Sequence, residues 1–437
     1  MAHPHPKSRS LPEWLGFLEG LHPKTIDMGL QRIDQVKARL GLAPAFPVIT
    51  VGGTNGKGST CAMLEAILRL AGYRTGCYTS PHLIRYNERV RINRQEVNDD
   101  ALCSAFEAVE AARQISGVSL TYFEFGTLAA VQLFQEAGVE VGILEVGLGG
   151  RLDAVNIFDP DCAVITSIDL DHMEYLGDTR EKIGVEKAAI FRSGRPAICA
   201  ERNVPDIVRQ YADAIDAKFL CIGEHFGYST GEKGWSYWSG YGKRHALPYP
   251  ALRGGRQLDN ASACITALDA VRDKLPVTMG NLRQGLLDVE WPARFQILPG
   301  RPVTVLDVAH NPAAAKVLAE SLGSMGRFNR TYGVFAMLKD KDMAGVAQAL
   351  AGQVNIWLAA GIDAPRGAST DEAVRALRRA LPENDDSMEE VIFPFEDPAA
   401  AYAYACARAT VNDRICVFGS FHTVADVLRY RNSTERG

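Results

Sequence analysis

The sequence predicts an α/β protein with two domains. Its 437 residues exceed what a single hydrophobic core usually organises. From residue 46 onward, apolar segments of strand length alternate with longer segments of helical period, which is typical of parallel sheets covered by helices. The proline-containing segment 292–302 interrupts this alternation, which then begins again. We therefore expect a larger N-terminal domain over residues 1–295 and a smaller C-terminal domain over residues 296–437, with a cleft between them.

The N-terminal part contains near-continuous apolar runs that suit central parallel strands, because such strands are covered on both faces. The predicted strands are 46–50, 139–146 and 162–168. The predicted helices are 59–71, 181–191, 204–215 and 259–273. Residues 225–250 carry glycines and aromatic residues without helical period, which favours hairpins or a surface excursion.

The C-terminal part repeats the alternation and is predicted to form a Rossmann-like α/β domain. Its predicted strands are 303–309, 332–338, 354–360, 390–395 and 415–420. Its predicted helices begin at Pro312, cover 342–351, 370–380 and 397–408, and begin again at Thr423.

Composition excludes several classes of protein. A formal net charge of −5 gives no general attraction to nucleic acid or to an anionic membrane. No apolar run reaches the ~18 residues of a membrane span, and residues 1–16 lack the apolar core of a signal peptide. The nine cysteines show no CxxC pairing, which favours reduced thiols in the cytoplasm. We expect a soluble cytoplasmic protein that acts on small molecules, with buried cysteines at Cys61, Cys162, Cys264 and Cys416.

The segment "VGGTNGKGSTC", residues 51–61, follows a predicted strand and opens a predicted helix. It departs from the usual phosphate-binding pattern G-x-x-x-x-G-K-[ST], because valine stands five residues before Gly56 and Gly58 separates Lys57 from the hydroxyl residues. A strand, a glycine-rich turn and a helix in this order predict a P-loop NTPase-like domain. The alternative is a flexible helix entry without a ligand.

The proposed chemistry of this loop follows from its backbone and its cation. The N–H groups of Asn55–Gly58 can point into one concavity at the positive end of a helix dipole. Lys57 supplies a charge for phosphate oxygens, and Ser59 or Thr60 a hydroxyl for Mg²⁺. The loop therefore predicts phosphate binding, without indicating which phosphate compound.

Hard oxygen donors for Mg²⁺ stand at two further strand ends. Glu145 closes one apolar strand, and "DLDH" (169–172) follows another. Ligands gather at the carboxyl ends of parallel strands, so these positions can converge. The alternatives are a solvated carboxylate at the rim and a capping Asp-His turn.

The spelling "GTNGKGST" (53–60) resembles the ATP loop of the Mur-ligase superfamily, whose members join a carboxylate to an amino acid through an amide bond. The inserted Gly58 resembles the folate branch, the dihydrofolate synthases and folylpolyglutamate synthases. Further segments agree with this branch in the same order along the chain: 24–32, 79–93, 121–130, 144–156, 168–177, 180–192, 306–312, 338–342 and 418–428.

The resemblance implies an ATP-dependent ligase that adds L-glutamate to dihydropteroate or to reduced folates through an acyl phosphate. It implies ATP and one or two Mg²⁺ ions as cofactors, and a monomer without nucleic-acid or membrane partners. A peptidoglycan-type Mur ligase with a UDP-muramoyl substrate is the first alternative, against which Gly58, "KTIDMGL" (24–30) and "TYFEFGT" (121–127) speak. A switch NTPase is the second, although the sequence has no N-K-x-D signature.

The resemblance also implies the site residues. Those for ATP are Thr54, Asn55, Gly56, Lys57, Gly58, Ser59, Thr60, Asn260, Arg294, Asp307 and His310. Those for the metal are Ser80, Glu145 and His172, and the implied catalytic residues are Lys57, Lys187 and His172. Those for the pterin substrate are Thr25, Ile26, Asp27, Met28, Thr121, Tyr122, Phe123, Glu124, Leu152, Asp153 and Ala154.

Several of these positions have a second interpretation. Lys187 matches a lysine that is carbamylated in this superfamily, yet its surroundings suggest a solvated helix lysine paired with a glutamate. Phe123 offers an aromatic face to a pterin, but Tyr122 and Phe123 equally suit a hydrophobic core. Asp27 or Asp153 can accept from pterin N–H groups.

Further positions also have more than one interpretation. Arg85 and Arg89 suit either substrate charge or a solvated loop. Residues "DVAHNP" (307–312), which include Asp307 and His310, suit a plain strand-end turn. The resemblance implies instead that ATP bridges the two domains, which would then close about the 292–302 linker. The sequence departs from the family spellings "LDATN" and "LPGR" at Val155 and Ala293, which puts substrate preference in doubt.

Overall fold

The structure is a computed structural model that describes residues 9–232, 234–381 and 391–434. These form two compact units: the first holds the described residues up to Pro250 together with Leu258–Val289, and the second holds Ala251–Gln257 together with the described residues from Glu290 onward. The domain ranges 1–295 and 296–437 stay a prediction. Residues 1–16 are not expected to form a signal peptide, and the first half of this segment, residues 1–8, lies outside the described residues. No helix in the described part is both long and apolar enough to cross a membrane.

The first unit is built on an eight-stranded sheet in the order β4-β3-β2-β5-β1-β6-β7-β8. Strands β3 and β4 are antiparallel, and the other six run parallel to one another. The predicted central strands β5 and β6 are buried along their whole length, which confirms the expectation from their apolar runs. The bounds are β1 Val48–Gly52, β2 Thr75–Tyr78, β3 Val90–Ile92, β4 Gln95–Glu96, β5 Val141–Glu145, β6 Cys162–Ile165, β7 Pro196–Cys199 and β8 Lys218–Cys221.

Helices cover both faces of this sheet. Successive side chains of a strand point to opposite faces. A Cβ on Gly76 of β2 would lie 2.7 Å from the Phe134 ring of α5, whereas the neighbouring Cys77 thiol contacts Cys61 of α3, so α3 and α5 lie on opposite faces. The bounds are α1 Leu11–Leu21, α2 Gln31–Leu40, α3 Lys57–Leu70, α4 Asp99–Ser116, α5 Tyr122–Glu136, α6 Met173–Leu176, α7 Arg180–Ala188, α8 Asp206–Ala214, α9 Gln257–Ala270 and α10 Met279–Asp288, with 3₁₀ helices at Tyr86–Arg89 and Ala154–Ile157.

Two hairpins form where residues 225–250 predicted them. Strands β9 Phe226–Gly231, β10 Gly234–Ser239 and β11 Gly242–Leu247 form a small antiparallel sheet. Tyr237 of β10 is buried, and its hydroxyl lies 2.8 Å from the Thr266 hydroxyl of α9. The hairpins therefore pack against a helix and are not a free excursion.

The second unit contains a six-stranded sheet in the order β12-β13-β17-β14-β15-β16. Only its edge strand β12 is antiparallel to its neighbour among the described strands. This matches the predicted Rossmann-like alternation. The strands are β12 Gln296–Leu298, β13 Val303–Leu306, β14 Thr331–Phe335, β15 Ile356–Ala360, β16 Ile392–Phe395 and β17 Arg414–Phe418. The helices are α11 Pro312–Ser324, α12 Met343–Leu350, α13 Thr370–Ala380, α14 Pro398–Arg408 and α15 Phe421–Thr434.

Local sequence signals explain where these helices begin. Asn311 caps α11 by accepting from the Ala314 N–H at 2.8 Å, and a proline occupies the first turn. Asp397 caps α14 in the same way, accepting from the Ala400 N–H at 2.7 Å.

Among the cysteines, Cys61, Cys162, Cys264 and Cys416 are buried, as predicted.

Candidate active site

The predicted phosphate-binding loop lies between β1 and α3, and two of its glycines are required by its shape. Gly53 and Gly56 have φ values of +141° and +93°, a region that side chains rarely adopt. A Cβ on Gly53 would lie 2.0 Å from the Thr166 hydroxyl oxygen, and one on Gly56 would lie 2.8 Å from Asn260 Oδ1. The loop is therefore wedged closely between the end of β6 and α9, and Asn260 lies against it.

Hydroxyl groups from the segment after β6 hold the loop in place. Thr54 Oγ1 accepts from the Asp169 N–H at 3.0 Å, and Thr166 Oγ1 donates to the Asn55 carbonyl oxygen at 2.7 Å. The Asn55 N–H donates to Ser167 Oγ at 2.9 Å. The expectation that this N–H points into the phosphate cradle is therefore wrong, because Ser167 already accepts from it.

The Lys57 side chain lies against the backbone of the phosphate loop. Lys57 Nζ donates to the Gly53 carbonyl oxygen at 3.0 Å. Thr60 Oγ1 donates to the Gly56 carbonyl oxygen at 3.0 Å within α3, an i−4 bond that satisfies this hydroxyl inside the helix. The two hydroxyl residues predicted for Mg²⁺, Ser59 and Thr60, are both buried in the first turn of α3.

Two predicted metal donors are brought together at the ends of neighbouring strands. Glu145 ends β5, is 3% exposed and accepts from the Ser80 N–H at 3.0 Å through Oε2. His172 caps α6 in a left-handed conformation with φ of +49°, and its N–H donates to Asp171 Oδ1 at 2.9 Å.

These donors suit a hard cation. Within the described ranges, no group of three or more His, Cys, Asp or Glu side chains is arranged to hold a metal ion. Mg²⁺ usually takes one or two carboxylates and fills its octahedron with water and phosphate oxygens. A single buried carboxylate beside a serine, at the edge where the phosphate loop lies, fits that pattern.

Lys187 is buried, so its interpretation as a solvated helix lysine is wrong. Only 4% of it is exposed, near the end of α7. Burial and, to a smaller extent, the Lys57 ammonium together lower the pKa of Lys187 to about 7, against the opposing effect of Asp171 and Asp153. Near neutral pH this amine is therefore partly uncharged, and an uncharged amine can react with CO₂.

The loop after β5 runs directly past this lysine. A Cβ on Gly150 would lie 2.6 Å from the Glu186 carbonyl oxygen and 3.2 Å from the Lys187 Cα, so only glycine permits the approach. The buried Asp153 carboxylate accepts from the Leu148 N–H at 2.8 Å and from the Val155 N–H at 3.1 Å, which ties the loop to itself. Burial raises the pKa of Asp153 to about 7, against these hydrogen bonds.

An arginine that the sequence reasoning missed joins two of the predicted substrate segments. Arg32 NH1 lies 2.7 Å from Asp27 Oδ2, and its NH2 donates to Glu124 Oε1 at 3.1 Å. Glu124 also accepts from the Thr121 N–H at 2.7 Å and thereby caps α5. The segments around Asp27 and Thr121 thus form one network, in which Asp27 is already paired.

The aromatic residues predicted for the pterin are half-buried. Phe123 covers Gly147, where a Cβ would lie 2.7 Å from its ring, and it stacks on Tyr78 at a centroid distance of 5.7 Å. Met28 Cε lies 3.8 Å from the Cβ position of Gly149 in the same loop. The remaining members Thr25, Ile26, Tyr122, Leu152 and Ala154 lie in these same segments, and of them only Ala154 is buried.

The other predicted nucleotide residues lie in the second unit. The Asp307 carboxylate follows β13 and accepts from the Phe295 and Ala309 N–H groups, each at 2.8 Å. Burial raises the pKa of Asp307, and the nearby Arg294 guanidinium opposes this shift. Arg294 lies over the Phe421 ring at 5.5 Å, and the His310 ring lies 6.5 Å from the same ring. Arg294, Asp307 and His310 are therefore gathered at one place.

The backbone on either side of Arg294 is strained. Ala293 and Phe295 have φ values of +59° and +48°, in the left-handed region that glycine tolerates best. The family spelling has glycine where this sequence has Ala293.

We expect Ala293→Gly to raise the free energy of unfolding by about 1 kcal/mol, because the left-handed region costs alanine more than glycine. Ala319→Gly, in the interior of α11, should lower the free energy of unfolding by about 1 kcal/mol. Denaturant unfolding of the full chain measures both. A loss of stability in both variants would contradict the strain at residue 293.

Comparisons with known proteins agree with this arrangement. Residues 51–227 match the model of the Mur ligase middle domain, and residues 293–421 match that of the Mur ligase glutamate ligase domain. A dihydrofolate synthase/folylpolyglutamate synthase of Escherichia coli K12 is 44% identical over 428 residues, covering 98% of this chain and 97% of the relative.

Solved structures extend the likeness to three dimensions. E. coli FolC in complex with DHPP and ADP has a TM-score of 0.92 and 42% identity, covering 99% of this chain and all of that one. A bifunctional folylpolyglutamate synthase/dihydrofolate synthase with Mn, AMPPNP and L-glutamate bound has a TM-score of 0.88 and 42% identity, covering 97% and 98% of the two chains. The chain therefore belongs to the dihydrofolate synthase/folylpolyglutamate synthase family of the Mur ligases.

Proposed function

We propose that this protein is an ATP-dependent ligase that adds L-glutamate to 7,8-dihydropteroate and to folate mono- and polyglutamates. One observation carries the proposal: the candidate groups all lie around the carboxyl ends of β1, β2, β5 and β6. They are the phosphate loop, the buried Glu145 carboxylate beside Ser80, the buried Lys187 and the Phe123 ring. Ligands of open α/β sheets bind at this edge. The relatives with bound ADP, AMPPNP, Mn and L-glutamate support the same chemistry.

The reaction needs a carboxylate oxygen turned into a good leaving group. Transfer of the ATP γ-phosphoryl group to the substrate carboxylate gives an acyl phosphate, the glutamate amine attacks its carbonyl carbon, and inorganic phosphate leaves. Charge accumulates on phosphate oxygens, so the protein contributes cations and positioning, with no side-chain nucleophile. In this proposal Lys57 and the N-terminus of α3 hold the phosphates, and Phe123 holds the pterin ring.

Glu145, Ser80 and His172 would hold Mg²⁺, which neutralises phosphate charge when it is bound. Asn260, Arg294, Asp307 and His310 would bind the nucleotide. The protein is proposed to act as a monomer on small-molecule substrates.

Lys187 is proposed to carry a carbamate. A buried ammonium facing Lys57 is unfavourable, whereas a carbamate would replace it with an anionic oxygen donor close to the phosphates.

We expect protein equilibrated with ¹³C-bicarbonate to show a carbamate resonance in ¹³C NMR at pH 8. The resonance should fade as the pH falls through about 7, because protonation of the Lys187 amine prevents its reaction with CO₂. Lys187→Arg is the matched control, since it keeps a cation that forms no carbamate. An identical spectrum from that variant would refute the modification.

ADP release tests the overall proposal against both alternatives. We expect it to require dihydropteroate and L-glutamate together and to fall to background when either is omitted. ADP release that is indifferent to both substrates would support a switch NTPase instead. A requirement for a UDP-muramoyl peptide would support the peptidoglycan-type alternative.

A further inference from the structure

Arg89 differs from Arg85 and Arg91 of the same segment because it has no acidic partner among the described residues. Arg85 pairs with Asp99 at 3.0 Å, and Arg91 pairs with Glu65 at 2.7 Å. The only polar contact of Arg89's guanidinium within the described part of the chain is the hydrogen bond from Nε to His82 Nδ1 at 2.8 Å.

Two tyrosine rings flank the same guanidinium. Its Cζ atom lies 5.3 Å from the Tyr86 ring centroid and 5.4 Å from that of Tyr122. These faces attract a cation but leave the hydrogens in the guanidinium plane available. Because Nε bonds to the histidine, the two terminal NH₂ groups form a fork with no acceptor among the described residues.

The position of Arg89 links two parts of the candidate site. Its carbonyl oxygen accepts from the Thr79 N–H at 2.9 Å, next to the predicted metal donor Ser80. Its side chain covers Tyr122, which precedes Phe123 at the start of α5. The guanidinium is half-buried, so a ligand can reach it while part of its hydration is already removed.

We propose that Arg89 binds a carboxylate of the pterin-bearing acid substrate through its two terminal NH₂ groups. The inference rests on the proposed function, in which Phe123 holds the pterin ring and Tyr122, which Arg89 covers, directly precedes it at the start of α5. A planar guanidinium fork matches a carboxylate in two-point contact, and the contact is charge-assisted. Arg89 thereby selects acids over neutral pterins of the same shape.

Equilibrium binding of pteroate and of its methyl ester, measured without ATP, tests the inference. We expect the wild-type protein to prefer the acid by about 10- to 100-fold, the range of a charge-assisted hydrogen bond to a buried partner. Arg89→Gln should bind both compounds alike. Arg85→Gln is the matched control, since it removes a surface-paired arginine of the same segment, and it should keep the wild-type preference.

The outcomes separate the possible sources of the carboxylate. Loss of affinity for both pteroate and pteroylglutamate in Arg89→Gln identifies the carboxylate that reacts. Loss for pteroylglutamate alone identifies the α-carboxylate of the glutamyl tail. A wild-type preference for the acid that survives in Arg89→Gln, with pteroylglutamate bound as tightly as by the wild-type protein, would overturn the inference while leaving the ligase proposal intact.

Two further measurements keep the test decisive. If Arg89→Gln fails to fold, Arg89→Lys replaces it; we expect an intermediate preference, because an ammonium lacks the planar fork. A wild-type preference in the lysine variant would overturn the two-point contact. Wild-type protein that binds neither compound would instead overturn the proposed function on which the inference rests.

Discussion

Lys57→Ala should reduce kcat by about 10³-fold or more, which is the magnitude expected when a preorganised charge is removed from a transition state that accumulates negative charge. Lys57 is the cation of the phosphate loop, and its ammonium already lies against the loop at the Gly53 carbonyl oxygen. Steady-state ADP release with both substrates at saturation measures the effect.

The control for this variant is Lys182→Ala. Lys182 lies on α7, is exposed and pairs with Asp178 at the surface. The Lys182→Ala variant should keep the wild-type kcat. Thermal unfolding of both variants should show that the fold is retained. Full turnover in a folded Lys57→Ala protein would exclude the loop from the mechanism.

Glu145→Gln should reduce kcat by about 10²- to 10³-fold and raise the Mg²⁺ concentration needed for half-maximal activity. Glutamine has the same shape, and its carbonyl oxygen can still accept from the Ser80 N–H that Glu145 accepts from at 3.0 Å. The substitution therefore removes the charge while keeping the hydrogen bond. A titration of activity with Mg²⁺ at fixed ATP measures both changes.

Glu140→Gln provides a control at the opposite end of the same strand. Glu140 immediately precedes β5 and also accepts from a backbone N–H, that of Arg74, at 2.8 Å. Its loss of charge should leave the Mg²⁺ dependence unchanged. Equal Mg²⁺ dependence in Glu145→Gln and wild type would contradict a metal-binding role for Glu145.

The sequence predicted β1, β5 and β6 of the first sheet and the described strands of the second sheet other than β12, because the signals of these strands are local. Continuous apolar runs identified β5 and β6, and Asn311 and Asp397 stand directly before helices whose first turns contain proline. Strands β2, β3, β4, β7, β8 and β12 were not predicted. Each is only two to four residues long, which is too short for a period to be detected.

The features of the site that the sequence did not predict depend on contacts between distant segments. The resemblance implied a catalytic role for Lys187, but its burial was not predicted, because its local sequence is that of a surface lysine while the distant Gly150 approaches it closely. Arg32 joins Asp27, five residues before it, to Glu124, 92 residues after it. Thr166 and Ser167 did leave a signal, since two hydroxyl residues directly follow an apolar strand that ends beside the phosphate loop.

The central claim is that amide formation proceeds through an acyl phosphate made at the phosphate loop. The most direct test uses dihydropteroate labelled with ¹⁸O in its carboxylate, together with ATP and L-glutamate. The mechanism predicts that each molecule of inorganic phosphate released carries one ¹⁸O atom from the carboxylate, as each molecule of dihydrofolate forms. Dihydrofolate produced with unlabelled phosphate would contradict the mechanism.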